Sequence, residues 1–356
     1  MKKNFMKKSV ILIIGALLIS CNQIVVSQAT APNRNKWKFS ELKGPYLGQK
    51  PPGMKAEMFA PGLLTAGGHE SKIAFSPDGK EFSISISTSG WQSLAEPRGA
   101  FRKGFMMHSR MENGYWTEPK EFSFSPARND GYPFFSPDGN KLFFNSNRGR
   151  TDPSDKSSSG IWYVVRVSGG WSEPQEVDFG KDYQSGRGVF PSVAANGNLY
   201  FALWPTIENG FLYMSRYENG NYSSPERLSD AINDKGGNHP YIAPDESYII
   251  FDDDRSENNF GQLDLFISFR DENGKWMKVQ NLGEGVNTVY GERRPFVSFD
   301  GKYLFFSSDR INPELPEEPI SLKKLQQLTN VHANGYQHIY WVDAKIIEEL
   351  KLKSLK

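Results

Sequence analysis

Glu70, Asp130 and Glu292 each stand eight residues ahead of a turn aspartate, Asp78, Asp138 and Asp300. A carboxylate fixed at one place in a repeated motif converges with its equivalents if the motifs are stacked around an axis. Two such groups about 5 to 10 Å apart can hydrolyse a glycosidic bond, one protonating the leaving oxygen while the other activates water or attacks the sugar. Basic and polar side chains lie close by in the sequence: His69, Lys72, Arg128, Arg187, His239, Arg293 and Arg294. The same surroundings suit two plainer roles, mutual satisfaction of buried charges or binding of a ligand without reaction. Trp91 and Trp204, which belong to no repeat, offer aromatic faces that could stack on a sugar ring or anchor a loop.

The elements that must position these residues are repeated hairpins. "KIAFSPDGKEFSISIS", "YPFFSPDGNKLFFNSNR", "FPSVAANGNLYFAL", "HPYIAPDESYIIFDDDR" and "RPFVSFDGKYLFFSSDR" share one template, an apolar strand, a turn and a second apolar strand. The turn residues Asp78, Asp138, Asn196, Asp245 and Asp300 lie 60, 58, 49 and 55 residues apart. Asp-Gly and Asn-Gly supply the positive φ that tight hairpins demand. A second element follows four of the hairpins: a strand ending near an Arg, a Gly turn, an aromatic and a short last strand, as in "FMMHSRMENGYWTEP". Four strands per unit at this period predict an all-β chain folded as a single β-propeller. The last unit lacks a fourth strand, and "AEMFAPGLL" (Ala56 to Leu64) is placed to supply it, so the count is five blades, with six as the alternative. A helix over "KIIEELK" follows the last blade. The Trp116, Trp171 and Trp276 positions recur and predict blade packing, while Arg110 and Arg216 predict pairing between blades.

The "FSPDGK…FFxSxR" pattern resembles the TolB-like, WD-like propeller repeats of exported bacterial proteins, from about Ala56 to Ala344. Such propellers carry scaffolds, receptors and enzymes alike. Five-bladed propeller glycosidases are similar in placing three acids at inner-strand starts on their first three blades; here the third blade has Gly188 at that position and the fifth has Glu292. In a propeller the first-to-second and third-to-fourth turns lie on one face and the remaining connections on the other. The first kind are tight here. The second kind are long (Thr88 to Gly104, Gly149 to Gly160, Ser256 to Gln262, Ile311 to Gln337), and a face of long loops on a rigid scaffold is where binding is expected.

The N-terminus predicts a location. Lys2, Lys3, Lys7 and Lys8 precede an apolar run, Val10 to Ile19, too short to be a good membrane span and suited to a secretory signal. It ends in "LISC", which resembles the lipobox of bacterial lipoproteins, in which the cysteine is acylated and becomes the first mature residue. Cys21 is the only cysteine, so no intramolecular disulfide competes for it. The expected organisation is a signal peptide over 1–21, a tether over 22–54 and a propeller over 55–356, lipid-anchored in the cell envelope and facing the periplasm or the exterior. A net charge of +1 gives no global field for nucleic acid.

No zinc-ligand spacing or Gly-x-Ser-x-Gly elbow occurs. Asp252, Asp253 and Asp254, with Glu257 and Asp264, carry oxygen ligands of the kind Ca²⁺ takes, without EF-hand spacing; solvated strand-end acids are the leading expectation and no cofactor is required. The expected function is a monomeric binding module that recognises an envelope protein or a glycan on the long-loop face. The alternatives are a carbohydrate-active enzyme using Glu70, Asp130 and Glu292, and a structural envelope scaffold.

Overall fold

The computed structural model describes residues 39–64, 69–87, 104–125, 129–148, 159–180, 188–203, 210–255, 258–311, 319, 321, 322 and 335–354. Five antiparallel sheets surround a central axis. Blade 1 contains His69–Phe75, Glu81–Ser87 and Gly104–Glu112, edged by Tyr115–Trp116 and Lys120–Glu121. Blade 2 contains Gly131–Phe135, Lys141–Ser146 and Gly160–Val167, edged by Gly170–Trp171 and Gln175–Glu176. Blade 3 runs through Val189–Val193, Leu199–Leu203, Phe211–Ser215 and Glu226–Arg227. Blade 4 runs through Asn238–Ile242, Tyr248–Asp253, Asp264–Phe269 and Gln280–Asn281. Blade 5 contains Glu292–Val297, Tyr303–Ser308 and His338–Asp343, and its outer strand is Glu57–Met58 from the start of the domain. Glu57 pairs with Trp341 and Met58 with Tyr340, so the N-terminal strand closes the ring. Each inner strand packs against the next, and blade 5 against blade 1. The protein is a five-bladed β-propeller. The helix Lys345–Ser354 follows and buries Ile346, Ile347 and Leu350.

The repeated turns form as their residues dictate. Ser76 donates its hydroxyl to Asp78 at 2.6 Å, the Lys80 amide donates to the same carboxylate at 3.0 Å, and Gly79 takes φ 67°. Ser136 with Asp138 and Ser298 with Asp300 repeat the arrangement. In blade 4 the glycine is replaced by Glu246 at φ 59°, and its carboxylate is held by Asn196, Asn198 and Tyr200 of blade 3. Burial would raise the carboxyls of Asp78, Asp138, Asp245 and Asp300, but hydroxyl and amide donors hold all four below the ordinary value of 3.8. A depressed folded-state pKa contributes stability above the ordinary value that is lost as pH falls through the folded one. The stability lead of the wild type over Asp138→Asn is therefore expected to shrink between about pH 5 and about pH 3, read from urea midpoints.

The segment expected as a tether is partly built into the propeller. From Phe39 to Met54 it crosses the tight-turn face between blades 1 and 5. Trp116 donates its amide to Leu42 O at 3.1 Å and its indole N–H to Gly44 O at 2.8 Å. Tyr46 inserts among Phe75, Tyr303, Phe305 and Trp341, with ring centroids 5.0 to 6.3 Å away, and donates its hydroxyl to Asp300 at 2.8 Å. Leu42 and Leu47 are buried. The composition of this strap is polar with Pro and Gly, yet Phe39, Leu42, Tyr46 and Leu47 meet the core, while Met54 at its end is exposed.

The expected pairing of the repeated arginines between blades needs correction for Arg110 and Arg216. Arg110 bonds Glu112 in its own strand and Arg216 bonds Glu226 in its own blade. Arg166 does cross, to Glu81 of blade 1 at 2.9 Å, and Arg270 crosses to the Tyr200 hydroxyl at 3.0 Å. The acid that Arg166 finds is Tyr303 at the matching place on the blade before Arg110, and a repelling Lys141 on the blade before Arg216. Trp116 is buried against Phe75 and Phe82, while Trp171 and Trp276 lie beneath Arg166 and Arg270 at 4.2 and 4.4 Å, which is blade packing.

Candidate functional site

Two rings of side chains surround the mouth of the channel on the long-loop face. The first holds the three carboxylates. Glu70 lies in the inner strand of blade 1 and is 1% exposed; its Oε2 is 2.5 Å from Nδ1 of His338 on blade 5. Asp130 accepts from Arg148 and from the Ser125 hydroxyl, both at 2.7 Å. Glu292, at 0% exposure, accepts from Arg310 at 3.2 Å, from the hydroxyls of Ser308 and Thr288 at 2.7 and 2.8 Å, and from the Thr288 amide at 2.8 Å.

Arg148 and Arg310 occupy the same place in the repeat, after the second strand, and so does Arg255 of blade 4. Each also donates to a backbone carbonyl from the preceding connection, Phe124, Val286 and Ile232 respectively. Each lies over aromatic rings, including Phe144, Phe306 and Phe251. The arginine that ends the "NSNR", "DDDR" and "SSDR" motifs is therefore a clasp between a carboxylate, a carbonyl and a ring.

The second ring lines the channel. A bulge interrupts every inner strand, between Glu70 and Lys72, Gly131 and Phe134, Val189 and Ser192, Asn238 and Tyr241, and Arg293 and Phe296. In four blades the bulged residue has positive φ (Tyr132 57°, Phe190 64°, His239 45°, Arg294 60°) and precedes a proline. With no glycine at these positions, the conformation needs external support. A side chain from the second strand of the preceding blade supplies it in three. Ser85 accepts from the Tyr132 amide at 2.6 Å, Asn145 from the Phe190 amide at 2.8 Å, and Asp252 from the Arg294 amide at 3.1 Å. These acceptors all stand seven residues after their turn Asp; blade 3, one residue shorter after its turn, has Ala202 in the equivalent pairing, and His239 lacks such a latch among the described residues. The acceptor position was readable in the sequence as a recurring Ser, Asn or Asp, but only the bulge explains it.

Lys72, Tyr132, Phe190, His239 and Arg294, with Pro191 and Pro240, line a cavity of about 10 Å³; Glu70, Asp130 and Glu292 do not line it. His239 places Nδ1 2.8 Å from Asp252 and stacks on Phe190 with centroids 3.8 Å apart. Burial pushes its imidazole down to about 4 against the opposing pull of Asp252. Asp252, which burial alone would raise, is held below the ordinary carboxylate value by His239 and Arg294. Burial and Arg294 push the Lys72 amine down to about 7. Arg293 lies 3.8 Å from Asp309, and His69 packs against Tyr336.

The acids at the strand ends of blade 4, expected to be solvated, are instead buried at Asp252, Asp253 and Asp264 and divided among separate partners: Asp252 serves His239 and Arg294, Asp253 serves Arg255 at 2.7 Å, and Asp264 accepts from the Phe260 amide and the Asn281 amide group. Among the described residues, no three His, Cys, Asp or Glu side chains are grouped as a metal would need. Cys21, Trp91, Arg128, Arg187, Trp204 and Glu257 lie outside the described residues.

No family model matches the chain, and no curated protein matches it. Solved structures similar to it include a putative TolB from Agrobacterium tumefaciens, 15% identical over 77% of this chain and 89% of that one, with a TM-score of 0.42. The arabinanase Arb43A of Bacillus subtilis is 14% identical over 77% of this chain and 93% of that one, also at 0.42. The xylosidase/arabinofuranosidase CoXyl43 from a compost metagenome is 11% identical over 81% and 94%, at 0.44. What they have in common with this chain is propeller architecture, which its own five sheets establish.

Proposed function

We propose that this protein is an extracytoplasmic binding module, lipid-anchored through Cys21, that recognises a partner protein with the long-loop face of its propeller. The observation that carries this reading is the state of the three carboxylates. Each is buried against Arg or His, and none lines the narrow channel cavity. Hydrolysis would require two of them to leave those partners and reach an open pocket.

The surface supports a protein partner over a glycan. Among the described residues, the large apolar side chains exposed on the long-loop face are Phe260 (46%), Val289 (69%), Leu322 (70%) and Tyr336 (45%). Aliphatic and aromatic side chains mixed in this way suit the core of a protein interface, whereas a sugar platform would use aromatic faces alone. The strap from Phe39 occupies part of the opposite, tight-turn face.

The test is site-specific photo-crosslinking with the full chain in its own envelope. A crosslinker at Val289 is expected to capture one discrete protein, while one at Glu272 on the tight-turn face captures none. Equal capture from both faces, or none from Val289, would overturn the reading.

A further inference from the structure

We propose that the propeller's central channel binds a single monatomic anion, of the size and charge of chloride, between Lys72 of blade 1, His239 of blade 4 and Arg294 of blade 5. All three line the same small cavity, and all three are buried, at 5%, 6% and 2% exposure.

Their hydrogen-bonding capacity is not used up. Lys72 has three N–H donors, and its one bond among the described residues goes to Pro295 O at 2.7 Å. Arg294 uses one terminal nitrogen on Ser307 and Gln337, while its buried Nε finds no partner among the described residues. His239 commits Nδ1 to Asp252, and its buried Nε2 likewise has no partner there. Buried polar atoms left in this state are costly, and cationic donors most of all.

Charge and size select the ligand. Below the Lys72 value of about 7, two cations face one carboxylate, Asp252, which is itself bonded to His239 and to the Arg294 amide. A water would satisfy donors but leave the surplus charge; an anion answers both. The cavity of about 10 Å³ is close to the least space that admits one water-sized body, and Tyr132, Phe190, Pro191 and Pro240 wall it. So small a space favours a monatomic anion over phosphate, sulfate or a carboxylate. With the anion in place, protonation of His239 at Nε2 would give a donor to it, the imidazolium being held by Asp252 on the other side. The depressed amine of Lys72, with burial and Arg294 acting against its charge and Asp252 in favour, is the group an adjacent anion would return to its charged form. Seated there, the ion joins blades 1, 4 and 5 across the axis.

The test uses chloride and bromide as probes. Thermal midpoints are measured as chloride replaces gluconate at constant ionic strength, and crystals grown in bromide are examined by anomalous scattering. The wild type is expected to show a saturable rise in Tm specific to chloride and a bromide peak in the cavity within reach of Lys72 Nζ and His239. Lys72→Met is expected to abolish the rise, and His239→Gln to weaken the apparent chloride affinity about tenfold or more, so that failure of one variant to fold leaves the other informative. Raising the solution from about pH 6 to about pH 9 is expected to weaken chloride binding as Lys72 loses its proton. A channel containing only a water peak in bromide, or midpoints that rise equally with chloride and gluconate, would overturn the proposal.

Discussion

Replacing Arg310 with Met is expected to destabilise the propeller by about 3 kcal/mol or more, the cost of stripping one partner from a buried ion pair. Glu292 is fully buried, and Arg310 is its cationic partner. Met keeps much of the packing over Phe306 and Tyr340, where the guanidinium sits 5.4 and 4.7 Å from the ring centroids. What is lost is the charge and the bond to Val286 O. Three donors from Ser308 and Thr288 remain on the carboxylate, which places the expected cost towards the lower end of the range for such pairs. Adding Glu292→Gln to Arg310→Met is expected to restore part of the loss, because a neutral amide needs no counter-charge. Urea denaturation of the two single variants and the double variant gives the coupling energy directly. A single variant within about 0.5 kcal/mol of wild type would show that Glu292 does not depend on its arginine, and would reopen a chemical role for it.

The second large effect is expected at Phe59, beside the strand that closes the ring. Its side chain is 2% exposed and meets Phe75, Phe305 and Trp341 edge-on at 6.0, 5.2 and 5.0 Å. These rings belong to blades 1 and 5, so the residue joins the two ends of the propeller. Phe59→Ala is expected to cost about 3–5 kcal/mol, the usual loss for emptying a buried aromatic site. Because Glu57–Met58 is held by only two paired positions on Trp341 and Tyr340, hydrogen exchange should accelerate in that strand and in the strap before it ahead of blades 2, 3 and 4. Uniform acceleration throughout would mean that closure is not a separate weak point.

The propeller was legible because its signal is local and repeated. Ser76, Asp78 and Gly79 make their turn with one another, and the same few residues make it again at Asp138 and Asp300. Closure by Glu57–Met58 could be inferred because the last unit was one strand short. The strap was not legible: Tyr46 is half-buried against rings from residues 75, 303, 305 and 341, and no periodicity around Tyr46 reports such distant partners. The positions of Glu70, Asp130 and Glu292 at inner-strand starts followed from counting, but their partners did not. His338 lies 268 residues from Glu70 and Arg148 lies 18 from Asp130, separations that no local pattern marks as partners. The inward ring was half visible, as Lys72, His239 and Arg294 two residues after the carboxylate position. The bulges that turn it into the channel were hidden, since Tyr132, Phe190, His239 and Arg294 adopt a backbone conformation that their own residue types do not favour.

The most direct single measurement is sugar release from a broad panel of polysaccharides, comparing the wild-type chain with the Glu70→Gln, Asp130→Asn, Glu292→Gln variant after circular dichroism has shown both to be folded. If the three carboxylates serve the scaffold and the loop face binds a protein, neither chain releases sugar. Release by the wild type that disappears in the variant would contradict this, and would make the buried acids a catalytic set that opens on substrate.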